Sequence, residues 1–212
     1  MNYFNLMPSF LLSVLIEKSD TPLRILEVGC DLGATLLEIK NGHPDSRLFG
    51  IEINKAAAEI AGHIANVTVG NIEDKKLPFE GEFDYILFGD VLEHLHDPQD
   101  VIRFCRGKLS EHGCIIANVP NIMHISVMEQ LLHGKFEYTD SGLLDRTHIH
   151  FFTRTEVVDL FESEGFTVEH IIPRFTRLTA AQENLMANLM QLSTDVTPDM
   201  YQAFHYTIKA TK

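Results

Sequence analysis

The sequence predicts a parallel, doubly wound α/β sheet with helices on both of its faces. Between Leu23 and Pro120, short apolar runs alternate repeatedly with stretches of helical period. The first of those runs, "ILEVGCDLGATLLEI" (Ile25 to Ile39), passes through glycines directly into a helix pattern, as nucleotide-binding turns do. Length and composition agree: 212 residues, 45% of them hydrophobic and 22% charged, are enough for one domain, 1–212, whose core needs no disulfide or metal.

Helical spacing from Leu6 to Lys18, within an N-terminal segment 1–22, predicts a helix that "SDTP" stops before the first strand, "LRILEVG". "GATLLEIKNG" is the next helix, ended by Asn41-Gly42, and "SRLFGIEI" the second strand. "NKAAAEIAGHI" and "NVTVG" supply a helix and a third strand, and "FDYILFG" a fourth. In "DPQDVIRFCRGKL" Asp97 is placed to cap a helix with Pro98 at its first position, and "GCIIANVP" follows as the fifth strand.

Residues 121–150 form an insert rich in His, Tyr, Asp and Gly, too long for an ordinary connection and therefore expected to be functional, on the acceptor side. "TRTEVVDLFESEGF" resumes as a helix with a Thr153–Glu156 capping box, before strand "TVEHIIPRF". A helical stretch, Thr179 to Leu192, lies in the segment 175–202 that precedes the last strand, "AFHYTIKA". Its Met186, Leu189 and Met190 stripe reads as core or dimer contact.

A formal charge of -13 lacks the basic footprint of a nucleic-acid binder. The apolar stretch in "FLLSVLIEK" is too short to span a bilayer and lacks signal-peptide flanks, so a cytoplasmic protein with no membrane insertion is expected. Cys30, Cys105 and Cys114, odd in number and without CxxC spacing, read as reduced, buried thiols.

In an open α/β sheet the ligand lies beyond the carboxyl ends of the strands, where Gly29 and Gly33 let backbone approach it. Glu52 ends the second strand about twenty residues further on, the place of a carboxylate that accepts from ribose hydroxyls. Glu27 and Asp31 oppose a diphosphate and suit a positive amino or sulfonium group. Ribose together with a cation describes S-adenosyl-L-methionine.

At these residues the chain resembles the class I S-adenosylmethionine-dependent methyltransferases, nearly end to end. The resemblance is carried by "LEVGCDLG", "GIEIN", "GNIED" and "FDYILFGDVLEHLHDP". "NVPNIMH", "GKFEYTDSGLLDRTHIHFFT" and "AFHYTIKA" resemble a narrower subgroup associated with glycosyltransferases and glycan biosynthesis. The resemblance implies a seven-stranded, mostly parallel sheet of order 3-2-1-4-5-7-6 with the last strand antiparallel. It implies Glu27, Gly29 and Gly33 at the methionine end, Glu52 on the ribose, and Ile53, Asn71 and Ile72 around the adenine; Asp31, read from its charge, and Gly89 and Asp90 complete the cofactor set. Asp31 replaces the family's usual middle glycine, and Asn71 stands where it commonly has Asp.

Methyl transfer to an unactivated hydroxyl needs a base near the acceptor. Glu93, His94, His96, His124, Asp145, His148 and His150 form the pool. His148, oriented by Asp145, is the first choice and His124 the second; His94 is assigned to packing and hydrogen bonding. Asp90, Glu93, His94, His96 and Asp97 offer metal-ligand atoms but no recognised ligand spacing, so no metal is assigned. "FEYTDSG" is read as a lid, with Tyr138 stacking on a sugar ring. The expected acceptor is a small or glycan-like molecule methylated on oxygen or nitrogen, most simply a sugar. A natural-product or carboxyl O-methyltransferase and a non-catalytic S-adenosylmethionine-binding subunit are the alternatives. A homodimer or a glycosyltransferase partner accompanies these expectations.

Overall fold

The computed structural model describes residues 12–192 and 194–212. Seven strands form one sheet: β1 (Arg24–Val28), β2 (Arg47–Glu52), β3 (Asn66–Val69), β4 (Phe83–Gly89), β5 (Leu109–Pro120), β6 (Thr167–Phe175) and β7 (Ala203–Thr211). Their order is β3-β2-β1-β4-β5-β7-β6. The pairs among β1 to β5 are parallel, and β7 runs antiparallel to both of its neighbours, β5 and β6. This is the order and direction that the family resemblance implies.

Period-two alternation along continuously apolar strands divides the core between the two faces of the sheet. Leu26, Val28, Ile86, Phe88, Ile115 and Ala117 pack on one face, and Ile25, Tyr85, Leu87, Cys114 and Ile116 on the other. Helices α1 (Ala34–Gly42), α2 (Lys55–Ala61) and α3 (Pro98–Arg106) make the crossovers. Asp97 caps α3 by accepting from Asp100 N–H, with Pro98 in the first turn, as its sequence spacing requires. After β5 come α4 (Ile125–Leu132), α5 (Arg154–Glu162), α6 (Ala180–Leu189) and α7 (Pro198–Gln202). The Thr153–Glu156 capping box of α5 is present. The three thiols are free and buried.

Several boundaries differ from the sequence-based expectation. Of the N-terminal helix, residues 6–11 lie outside the described residues and only 12–14 of the remainder are helical. Tertiary partners take over beyond that point: Glu17 N–H donates to the Tyr85 hydroxyl, and the Glu17 carboxylate pairs with the buried Lys209. The insert 121–150 is not irregular throughout, because His124 caps α4 within it. Among the described residues no helix is long and apolar enough to cross a membrane.

Gly33, the residue before α1, has φ +83°. A Cβ there would lie 3.1 Å from both Ala61 Cβ and Ile64 Cδ1, so this glycine lets α2 approach the turn closely. Left-handed strain plus overpacking predicts that Gly33→Ala destabilises the protein by about 2–4 kcal/mol, measurable by urea unfolding.

Candidate active site

Because β1, β2, β4 and β5 run parallel, their carboxyl ends open on one rim of the sheet. On this rim Gly29 (φ +67°) turns the chain out of β1, its N–H bonded to Ile51 O at 2.8 Å. Asp31 has φ +44°, which accounts for an aspartate in place of a glycine: short polar side chains tolerate the left-handed region better than most. Its side chain is exposed at the mouth of the turn.

Two carboxylates sit behind that turn. Glu52, 8% exposed, accepts from Asp31 N–H at 2.9 Å and from Asn54 N–H at 2.8 Å, tying the loop after β1 to the loop after β2. A carboxylate has about four lone-pair sites, so both oxygens can still accept from a diol. Glu27, 3% exposed, leaves Oε2 without a partner. Burial pushes its pKa up to about 8, against the pull of the Thr35 hydroxyl, and the charges of Asp31 and Glu52 push the same way. A buried acid with an unsatisfied oxygen fits an ammonium or sulfonium ligand and opposes an anionic one.

The adenine-side candidates take different roles. Ile53 is 70% exposed beside Glu52 and offers a flat apolar surface. Ile72, by contrast, is 4% exposed and packed into the core, so its side chain does not offer a surface at the rim. Asn71 accepts from Glu73 N–H at 3.0 Å as the cap of a short 3-10 turn, which occupies one lone pair of its amide oxygen. Gly89 ends β4, where a Cβ would come within 3.3 Å of Leu12.

Beyond β4 the rim carries a cluster of polar side chains, which we take as the acceptor chamber. Asp90, itself at φ +55°, accepts from Asn118 Nδ2 at 2.6 Å, and Asn118 Oδ1 accepts from the Thr207 hydroxyl. His205 Nε2 lies 3.4 Å from Asp90 Oδ1 and its other nitrogen meets Arg174. Burial, then the Arg174 charge, hold the His205 pKa down to about 3, so it is a neutral group here. Neither Arg174 nor His205 was a sequence candidate; a histidine early in a strand of "AFHYTIKA" gives no signal until β7 is known to run antiparallel.

Glu93 and His94 follow in a 3-10 turn, facing His148 from the insert. The candidate ligand atoms of these three side chains lie within 4.8 Å of one another. Glu93 O accepts from both Ile149 N–H and His150 N–H, which pins the "HIH" segment to this turn. The His148 side chain is 8% exposed, and burial, followed by the nearby His94, lowers its pKa. Asp145 accepts from His148 N–H through its backbone carbonyl, but its carboxylate does not bond to the His148 ring. Its carboxylate is taken by Thr147 N–H and the Thr147 hydroxyl, and the carbonyl of Leu143, 3.2 Å away, fixes the His148 Nδ1 instead.

His124 is not placed to act as a base. Its Nδ1 bonds to Ser126 and its Nε2 to the Thr176 hydroxyl at 2.9 Å, so both ring nitrogens are engaged in holding α4 to the segment after β6. Tyr138 is 53% exposed and packs edge-on against Phe136, which in turn meets Phe151, so the "FEYTDSG" loop carries an open aromatic surface.

The sheet order is that of the class I S-adenosylmethionine-dependent methyltransferases. A model of the methyltransferase domain matches residues 2–171, and the chain belongs to that family, with S-adenosylmethionine as its cofactor. The polyketide synthase ThaQ of Burkholderia thailandensis is 23% identical over 156 residues, 70% of this chain and 7% of that protein. The ubiquinone biosynthesis O-methyltransferase of Acinetobacter baylyi is 26% identical over 106 residues, 46% of this chain and 44% of that enzyme. The chain thus spans less than half the length of these two relatives. The crystal structure of a SAM-dependent methyltransferase from Archaeoglobus fulgidus covers all of both chains, with a TM-score of 0.64 at 18% identity.

Proposed function

We propose that this chain methylates an oxygen or nitrogen of a small, polyhydroxylated acceptor, a sugar or glycan-like molecule, with the acceptor seated in the chamber between Glu93, His148 and His205. The observation that carries the proposal is one rim on which a buried acid with one free oxygen, Glu27, and a diol-competent acid, Glu52, adjoin the cluster of buried Glu93, exposed His94 and half-buried His148. When bound, S-adenosylmethionine supplies a methyl group on a positive sulfur. Glu27 would face the ammonium, Glu52 the ribose hydroxyls and Ile53 the adenine; the backbone at Gly29 and Gly33 would line the methionine end. His148, in the cluster with Glu93, would draw the proton from the acceptor. A second reading, O-methylation of a polyketide or quinone-like phenol, is favoured by the two relatives named above. Mass spectrometry of products from sugar nucleotides and from phenols separates the two. NAD binding without binding of S-adenosylhomocysteine would remove both.

The Glu27 assignment makes its own prediction. A carboxyl whose folded pKa is raised from 4.5 to about 8 binds a proton in the folded state that the unfolded state lacks across that interval. The ligand-free protein is therefore most stable, on this account, below the lower value and loses stability as pH rises toward the upper one. Ionisation against a ligand ammonium releases that proton. Calorimetric titration of S-adenosylmethionine at pH 7 in buffers of different ionisation enthalpy should show release of close to one proton, abolished in Glu27→Gln.

A further inference from the structure

We propose that Glu93, His94 and His148 bind a divalent transition-metal cation, a site that rests on the rim being the methyltransferase cleft proposed above and adds a metal to its acceptor side. Glu93 is fully buried, and among the described residues neither carboxylate oxygen has a hydrogen-bond partner. Asp90 and Asp145 add negative charge around it, so the cluster lacks a positive one. The two imidazoles converge on the same point, with ring centroids 4.8 Å apart and His148 Nε2 4.0 Å from Glu93 Oε1.

The hydrogen bonds of both rings decide what they offer. His94 Nδ1 lies 3.1 Å from Thr147 O, and His148 Nδ1 lies 3.2 Å from Leu143 O. A carbonyl only accepts, so each Nδ1 carries the hydrogen and each neutral ring keeps its lone pair on Nε2. Backbone carbonyls that fix the tautomer in this way are the usual outer support of metal-bound histidines. Two imidazole nitrogens and one carboxylate suit zinc, manganese or cobalt better than magnesium, which prefers oxygen alone. Mutual spacings of up to 4.8 Å are wider than bonds of about 2.0–2.2 Å allow, so side-chain rotation inward accompanies binding.

Three protein ligands leave positions for an acceptor oxygen, whose hydroxyl proton then leaves to water more readily. That oxygen's electron pair forms the new bond to the methyl carbon as the carbon–sulfur pair returns to sulfur. On this account His148 promotes deprotonation as a ligand of the cation.

The test uses the full chain stripped with EDTA and titrated calorimetrically with Zn²⁺, Mn²⁺ and Mg²⁺. One equivalent of Zn²⁺ or Mn²⁺ should bind, weakened at least about 100-fold in Glu93→Gln and in His148→Ala. His94→Gln, at an exposed position, supplies a variant whose folding is not at risk and should weaken binding as well. His63→Gln, an exposed residue in the turn after α2, should leave binding unchanged. No stoichiometric binding, or binding indifferent to the three cluster variants, overturns the proposal. Titration of S-adenosylhomocysteine into the same samples tests the cofactor cleft separately, so failure of the metal site and failure of the methyltransferase reading give different results.

Discussion

Glu52→Ala is expected to weaken S-adenosylhomocysteine binding by roughly 10- to 1000-fold in a calorimetric titration. The carboxylate does two things at once. It accepts from Asp31 N–H and Asn54 N–H, so its loss loosens the turns after β1 and β2 together, and its remaining lone pairs, beside the exposed Ile53, are the buried acceptors that we assign to a ribose. Hydrogen bonds involving a charged group contribute about 1.5–3 kcal/mol each, and one or two of them give the stated range. Glu52→Gln should fall between, because one amide oxygen still accepts while the NH₂ group opposes an N–H. Unchanged affinity in Glu52→Ala would remove Glu52 from the cofactor site.

His148→Ala should lower kcat by about 10²–10⁴, the range that positioned proton transfer contributes, while S-adenosylhomocysteine affinity changes by less than about twofold. The separation follows from position: His148 reaches the chamber from the insert and touches Glu93 and His94, whereas the cofactor acids belong to β1 and β2. A parallel fall in affinity and turnover would mark His148 as a support of the fold. Burial, which lowers its pKa, keeps the imidazole neutral to lower pH, so activity that depends on the neutral ring should persist below the usual histidine range. A kcat–pH profile of the wild-type chain checks the direction.

The placement of the residues proposed for the cofactor was legible because they follow strands. Glu27 and Glu52 sit at the ends of apolar runs whose period fixes where each strand stops, and parallel alignment then brings both to one rim. Asp31 looked like a departure, yet its left-handed backbone shows the turn keeping its shape with an aspartate in it. The caps at Asp97 and Thr153 were likewise local and correctly read. The acceptor half depends on contacts distant in sequence. That Glu93 lacks a partner, that its carbonyl holds Ile149 and His150, and that His124 spends both nitrogens on Ser126 and Thr176 are facts of tertiary packing. The same packing moved Asp145 from orienting a histidine to closing a turn on Thr147. At the N-terminus, helical spacing continued past residue 14, but a hydrogen bond to Tyr85 and an ion pair with Lys209 drew Glu17 out of it.

The reversed direction of β7 has a consequence for how such a protein can diversify. Every other central strand delivers its last residues to the rim, but β7 delivers its first, and His205 arrives there immediately after the 175–202 connection. Lengthening, shortening or recomposing that single connection would therefore reshape the rim beside His205 while leaving Glu27 and Glu52, on β1 and β2 beyond both β5 and β4, undisturbed. If the proposed roles hold, acceptor choice and donor grip can drift independently in this architecture, each on its own side of the sheet's midline.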